Sequence, residues 1–390
     1  MKNLDTLIQE LCPEGVEFVK LGECCTFKRG TTITAKNAIA GDVPVLAGGQ
    51  KPAYYHNVSN RTGETIVVAG SGAYAGYVSY WTIPVFLSDS FSVQPDNRLV
   101  VKFVYYYLKN IQQKIFATKK GSGVPHVHGS SIAKFEIPLP PIEVQIEIVR
   151  ILDKFTSLEA ELEAELDCRK RQYEYYRDKL LSFDNVGGQE VEWKKMSEVF
   201  DMRNGYTPSK AKAEYWEGGT IPWFRMEDIR EKGRILSDSI QHITMEGVKK
   251  GKLFPANSFI LATTATIGEH ALVIADSLAN QQFTNLTVRK SLSDSLLTKF
   301  VFHYMFIVDE WCKKNINVSG FASVDMNKFK KLEFPIPSLE EQHRIVNILD
   351  RFESLTTSLQ SGLPAEITAR RQQYEHYRDK LLTFKRKGAA

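Results

Sequence analysis

Although 43% of the 390 residues are hydrophobic, the sequence lacks any apolar run long enough to cross a bilayer. A membrane-spanning helix needs about 20 such residues in succession. The opening stretch MKNLDTLIQEL carries Asp5 and Glu10 where a secretory leader needs an apolar centre. A soluble, cytoplasmic chain without a membrane partner is expected. Cysteine is scarce: Cys12, Cys24, Cys25, Cys168 and Cys312 are odd in number and fall in no metal-ligand spacing. They read as structural or incidental thiols of a reducing compartment. No glycine-rich loop closes on Gly-Lys-Ser or Gly-Lys-Thr, so the chain is not expected to power translocation. Neither sign of charge dominates, with 50 basic and 46 acidic residues giving a net charge of +4.

What the sequence does contain is a duplication. QYEYYRDKLLSF (172–183) and QYEHYRDKLLTF (373–384) agree at ten of twelve positions at an offset of 201. Upstream, EIPLPPIEVQIEIVRILDKFTSL (136–158) lies on EFPIPSLEEQHRIVNILDRFESL (333–355) at an offset of 197. The second copy thus holds four extra residues between Leu355 and Arg370. Four residues are close to one helical turn, so a helix absorbs them with its apolar face nearly in line. Weaker anchors pair VEFVKLGECCTFKRG (16–30) with VEWKKMSEVFDMRNG (191–205), GDVPVL (41–46) with GTIPWF (219–224), and SGVPHVHGSSIAKFEIP (122–138) with SGFASVDMNKFKKLEFP (319–335). Self-similarity at a nearly fixed offset sets the architecture. The chain reads as two tandem units, each a divergent globular part followed by a near-duplicate helix, and its length suffices for two cores. The expected limits are 1–138 with a short N-terminal helix, 139–183, 184–337, and 338–390 with a basic tail. Within the first globular part, residues 16–138 carry 13 basic and 7 acidic residues, whereas residues 139–183 carry 7 and 10.

Each repeated helix starts behind prolines, Pro138, Pro140 and Pro141 in one copy and Pro335 and Pro337 in the other. Ile146, Val149, Ile151, Leu152, Phe155, Leu158, Leu162 and Leu166 then recur at three- and four-residue steps, and Tyr173, Tyr176, Leu180 and Leu181 continue the stripe. Residues 142–183 predict one helix of about 63 Å. So long an apolar stripe needs a partner, and the second copy (339–384) is the obvious one. The two dodecapeptides are expected to meet head to tail. LEAELEAEL (158–166) reads as ordinary helix former or as a spacer built from four-residue units; Gly362 and Pro364 predict a break near 362–364 in the second copy.

Two variable regions, each opened by Val-Glu-aromatic-x-Lys-x-x-Glu and closed by PLPPIEVQIEIVRILD or PIPSLEEQHRIVNILD with Gln145 and Gln342, precede near-identical helices. This organisation, over residues 16 to 384, resembles the specificity (S) subunit of Type I restriction–modification systems. The resemblance implies an α+β fold with an internal pseudo-twofold repeat. Two mixed α/β target-recognition domains would be joined by a pair of long antiparallel coiled-coil helices. It further implies that each domain reads half of a bipartite site in double-stranded DNA, that two adenine-methyltransferase modification subunits dock on the assembly, and that restriction/translocase subunits join them. The chain itself would be no enzyme: it has no Asn/Asp-Pro-Pro-aromatic motif to hold a flipped adenine.

The residues that suit DNA contact recur in both units. GETIVVAGSGAYAGY (63–77) and ANSFILATTATIGEH (256–270) each read as a buried strand entering a small-residue turn, with Ser71 and Tyr74 in one and Thr263, Thr264 and Thr266 in the other. Small side chains let backbone approach phosphates and base edges, though they serve ordinary tight turns equally. Beside these turns stand Lys28, Arg29, Lys51, Tyr54, Tyr55, Lys119 and Lys120 in the first unit. The second unit has Arg203, Asn204, Tyr206, Lys210, Lys212, Trp223, Arg225, Lys313 and Lys314. Singly, a Lys is a solvated charge and a Trp or Tyr a core residue; their paired recurrence is the signal. Lysines suit phosphates, and Arg29, Arg203, Arg225 and Asn204 suit base edges. GSGAYAG (70–76) has the wrong spacing for a dinucleotide loop, and HVH (126–128) has no further ligand nearby, so no cofactor and no metal are expected. A coiled-coil scaffold whose globular parts bind proteins or glycans remains the alternative, with a self-contained DNA-modifying enzyme third.

Overall fold

The computed structural model describes residues 4–121, 123–183, 191–317, 321–357 and 362–388. The chain divides into two compact units, Met1–Ala164 with Ala365–Ala390, and Glu165–Pro364. No helix among the described residues is long and apolar enough to cross a membrane.

In the first unit, four antiparallel strands lie in the order Cys25–Arg29, Ser90–Pro95, Thr65–Ala69 and Val78–Trp81. The TIVVA strand is buried along its whole length, as a run of β-branched residues inside a sheet should be. Helix Val101–Asn110 covers the sheet, burying Phe103, Val104, Tyr106 and Leu108 in one core with Ile66, Val68 and Val93. A second sheet sets Val43–Leu46 between Tyr54–His56 and Phe86–Leu87. Strands Glu17–Lys20 and Glu136–Leu139 close the unit's α/β body as an antiparallel pair.

The second unit repeats this plan strand for strand. Phe200–Asn204, Phe283–Val288, Ser258–Ala262 and His270–Val273 take the same order, with Ile235–Leu236 added at the edge. Ile221–Phe224 sits between His242–Ile243 and Leu278–Ala279, and Glu192–Lys195 pairs with Glu333–Ile336. The covering helix is Thr298–Lys314. The anchors GDVPVL and GTIPWF thus occupy the same middle strand. The internal repeat and the α+β class are what the sequence implies.

Ile142–Leu181 is one uninterrupted helix, as its stripe predicts. Its counterpart is two helices, Leu339–Thr357 and Leu363–Leu381. Gly362 has φ +80, and a Cβ there would come within 2.7 Å of the Leu355 carbonyl oxygen, so glycine is required at this break. Within the first unit, Phe155 stacks on Tyr377 at 5.3 Å, and Arg371 donates to Glu159 at 2.5 Å and to Glu163. Rising numbers on one helix meet falling numbers on the other, so the pair is antiparallel. In the second unit, Tyr176 stacks on Phe352 at 5.8 Å.

These contacts correct one expectation. Each dodecapeptide packs on the stretch of helix that precedes the other copy's dodecapeptide: Tyr377 on Phe155, Tyr176 on Phe352. The reason is geometric, because in an antiparallel pair of long helices the end of one lies beside the start of the other.

Candidate nucleic-acid interface

Around the turn after the buried strand, several loops of the first unit converge. Gly72 has φ +84, so the chain reverses there with little steric cost. Ser71 bridges to His126, and Val127 donates to the Gly70 carbonyl at 2.9 Å, which ties His126 and Val127 to the turn. Gly48 lies so close to Ser71 that a Cβ would come within 2.3 Å of its carbonyl oxygen. Asp89 accepts the Ser71 hydroxyl and, at 3.4 Å, Nη2 of Arg29, while its carbonyl accepts from Gly70 at 2.9 Å. Phe27, Arg29, Phe91, His126 and His128 line an open cleft beside this network.

The predicted residues of this unit divide into two groups. Lys28, Lys51, Tyr55 and Lys120 are exposed, as are Arg29 and Tyr74. Ser71 stands among them, half-buried. Tyr54 is a positioning group: its hydroxyl donates to the Ile33 carbonyl at 2.6 Å and holds the 30–38 loop. Lys119 lies over the Phe116 ring at 4.5 Å and donates to the Ala73 carbonyl at 3.1 Å, bracing the turn. Arg61, absent from the predicted set, braces the edge strand by donating to the Lys28 and Arg29 carbonyls at 2.9 and 3.1 Å.

The second unit repeats the turn, with Ala265 at φ +61 in place of Gly72. Thr264 bridges to Ser323, and Val324 donates to the Thr263 carbonyl at 2.9 Å, matching the first unit bond for bond. Here the polar chain is neutral: Asn204 accepts from Thr284 at 3.0 Å, and Thr284 contacts Thr263 at 3.0 Å. Arg203 lies over Phe254 at 4.6 Å with Nη2 buried and without a hydrogen-bond partner, and burial pulls its pKa below the usual arginine value. Arg225 is half-buried over the Trp223 ring, its Nε without a hydrogen-bond partner and 3.9 Å from a Glu227 carboxylate oxygen. Buried donors without a hydrogen-bond partner are rare and need an explanation; the Thr266 hydroxyl is another. Lys210, Lys212, Lys313 and Lys314 are exposed. Lys212 donates to the Tyr215 hydroxyl at 3.1 Å, the main cause of its raised pKa, and Lys313 donates to Glu310 at 2.6 Å.

Two of the predicted contacts lie inside the body instead. Trp223 is only 3% exposed, its Nε1 donates to the Tyr206 carbonyl at 3.0 Å, and its ring meets Trp216 edge-on, so it has no free face for a base. Thr263 is 7% exposed and acts through Thr284. Tyr206 is half-buried and accepts the Lys249 N–H at 2.5 Å, with Nζ of Lys249 4.4 Å from its ring centre. Lys249 and Lys250 were missed by the motif reading, although the run VKKGK (248–252) marks them. Asp89 was missed because an acidic residue breaks the basic pattern.

Among the described residues, His303, Asp350 and Glu353 bring three ligand-type atoms together. A cation already sits there, since Nζ of Lys299 is 3.5 and 3.9 Å from the two carboxylates, and His303 Nε2 bonds Asp350 at 2.8 Å. The first unit builds the same tie from Lys102, Asp153 and Tyr106. The arrangement fastens the covering helix to the long helix.

Known proteins resemble this chain in both sequence and fold. Residues 13–167 and 189–369 match the family model described as the Type I restriction modification DNA specificity domain. The chain belongs to this family. It is 34% identical over 396 residues to the EcoR124I/EcoR124II specificity subunit of Escherichia coli, covering 95% of this chain and 94% of that one. It is 52% identical over 217 residues to the EcoprrI specificity subunit, also of Escherichia coli; this match spans about half of each chain, 54% and 53%. The solved Type I restriction–modification S subunit from M. genitalium shares the fold, with a TM-score of 0.57 at 16% identity over 94% and 96% of the two chains. Type I specificity membership favours DNA recognition over a scaffold for proteins or glycans.

Proposed function

We infer that the chain is the DNA-specificity subunit of a Type I restriction–modification complex, working in the cytoplasm. Each unit reads one half of a split double-stranded target, and the paired helices set the gap and dock two adenine-methyltransferase subunits. Methylation falls to those subunits, and cleavage to restriction/translocase subunits. The observation that carries this reading is the recurrence of one strand–turn arrangement in both units. Each unit carries, with its turn, residues suited to phosphate and base contact: Lys28, Arg29, Lys51, Ser71 and Lys120 in the first, and Arg203, Asn204, Lys210, Lys212, Arg225, Thr264 and Thr266 in the second. A duplicated reader on one chain fits a target in two halves. Trp223, Thr263, Tyr54 and Lys119 support these loops from behind.

The test is selection of duplexes from a randomised library by the full chain with its methyltransferase subunits. Enrichment of a two-part sequence with a fixed gap, bound with steep salt dependence, is the expected result. A chain that retains DNA without any split preference overturns the reading.

A further inference from the structure

The two units place different chemistry at one equivalent position. In the first, Arg29 pairs across the sheet with Phe91, and Ala69 with Ser90. In the second, Asn204 pairs with Thr284, and Ala262 with Phe283. The register therefore superposes Arg29 on Asn204 and Asp89 on Gln282. The backbone agrees: Gly70 donates to the Asp89 carbonyl and Thr263 to the Gln282 carbonyl, both at 2.9 Å.

We propose that Arg29, held by Asp89, reads a guanine in the first half-site, and that Asn204, held by Thr284, reads an adenine at the corresponding position of the second. This rests on the function proposed above and specifies its base readout. If Arg29 served only a phosphate, Asp89 beside it would be a handicap, because a carboxylate repels the phosphate it would share the cation with. Guanine presents O6 and N7 as neutral acceptors, and there the acid helps. One Asp89 oxygen accepts the Ser71 hydroxyl and the other accepts Nη2 of Arg29, so one nitrogen of the planar guanidinium is tethered. The fork carries five N–H donors, and the remaining edge suits two parallel bonds to a guanine. Arg29 keeps 70% of its side-chain surface in solvent, so without the acid its rotamer freedom would be lost at the moment of binding.

In the second unit the acid is replaced by Gln282, which is tied to Asn280 through its backbone N–H at 3.0 Å and its side-chain oxygen at 3.3 Å. Asn204 is instead oriented by Thr284, which donates to its Oδ1 at 3.0 Å. An amide held through one oxygen lone pair keeps its two N–H donors and a second lone pair, the pattern that matches adenine N6 and N7.

Library selection with the full chain and its methyltransferase subunits tests this, using Arg29→Lys, Asp89→Asn and Asn204→Asp. Lysine keeps the charge but loses the fork. Arg29→Lys and Asp89→Asn should each lower the preference for one first-half guanine by roughly 5-fold or more while leaving the second half-site as selected by the wild type. Asn204→Asp should do the same to one second-half adenine alone. Thermal melting of each variant confirms that the fold persists. A wild-type split motif that all three variants leave unchanged overturns this inference and spares the function. A wild-type first half-site without a guanine also overturns it. Absence of any split motif in the wild type overturns the function, and this inference with it.

Discussion

Gln145 and Val100 form the joint between helix and body in the first unit. Gln145 is fully buried, its Oε1 accepts the Val100 N–H at 2.8 Å, and its Nε2 donates to the Arg98 and Pro140 carbonyls. Val100 opens a helix whose first N–H groups have no intrahelical acceptor, so one carboxamide satisfies a helix start and anchors a second helix to it. Gln342 repeats every bond, with Leu297 at 2.8 Å and with the Ser295 and Pro337 carbonyls.

Replacing either glutamine by leucine should therefore strand one buried donor and two buried acceptors. Each unsatisfied buried group costs about 1–3 kcal/mol, so three cost about 3 kcal/mol or more, and at ~2–4 °C per kcal/mol for a unit of this size the melting temperature should fall by about 6–12 °C or more. Calorimetry should show Gln145→Leu lowering the transition of the first unit and Gln342→Leu that of the second. An unchanged melting profile would mean that water replaces the carboxamide.

Changing Arg203, Lys210, Lys212 and Arg225 together to alanine should abolish recognition of one half-site, and changing Lys28, Arg29, Lys51 and Lys120 should abolish the other. Each lost phosphate contact should flatten the salt dependence by about one unit of slope. Binding titrations across salt concentrations, with circular dichroism to confirm folding, check both. Normal methylation of the full target by either variant would show that these are not the contacts.

Deleting Glu161–Ala164 should shorten the recognised gap by one base pair and leave both half-sites unchanged. The deletion removes about 6 Å of helix against ~3.4 Å per base pair, and the residual turn of about 40° is close to one ~36° base-pair step. Arg371, which bonds Glu159 and Glu163, keeps two acidic partners because Asp167 moves into the place of Glu163. Methylation of duplexes differing only in gap length decides it, and an unshifted optimum would reduce the LEAE quartets to plain helix.

The Asp350 tie should make the second unit acid-sensitive. The hydrogen bond from His303 holds the Asp350 carboxyl below its usual 3.8, with Lys299 adding to the effect. A depressed folded-state pKa stabilises the fold above 3.8, and that contribution is lost as pH falls through the depressed value. Asp350→Asn should therefore flatten the decline of melting temperature below pH 4. An equally steep decline in the variant would assign the acid sensitivity to other carboxylates.

Much of the architecture was legible because it is written in local patterns. The dodecapeptide and the anchors at an offset of 197 marked the duplication, the three- and four-residue apolar steps marked the helix Ile142–Leu181, and Gly362 marked the break. The β-branched runs at Thr65–Ala69 and Ser258–Ala262 located both central strands and the turns that follow them. The candidate site was legible only as a set of loops. Trp223 and Arg225 are two residues apart in one motif, yet the first is buried under Trp216 while the second keeps part of its surface, and nothing in the motif distinguishes them.

By itself, then, the sequence determined the duplication, the helices and the strands that enter the recognition turns, since each follows from the period of apolar residues along a short stretch of chain. Only the tertiary structure decided which residues meet. Arg29, Ser71 and Asp89 come from three separate segments, and their contact depends on a sheet register that no local pattern encodes. Each dodecapeptide likewise found its partner in the stretch that precedes the other copy's dodecapeptide, because antiparallel packing of two long helices, not sequence identity, sets which surfaces face each other.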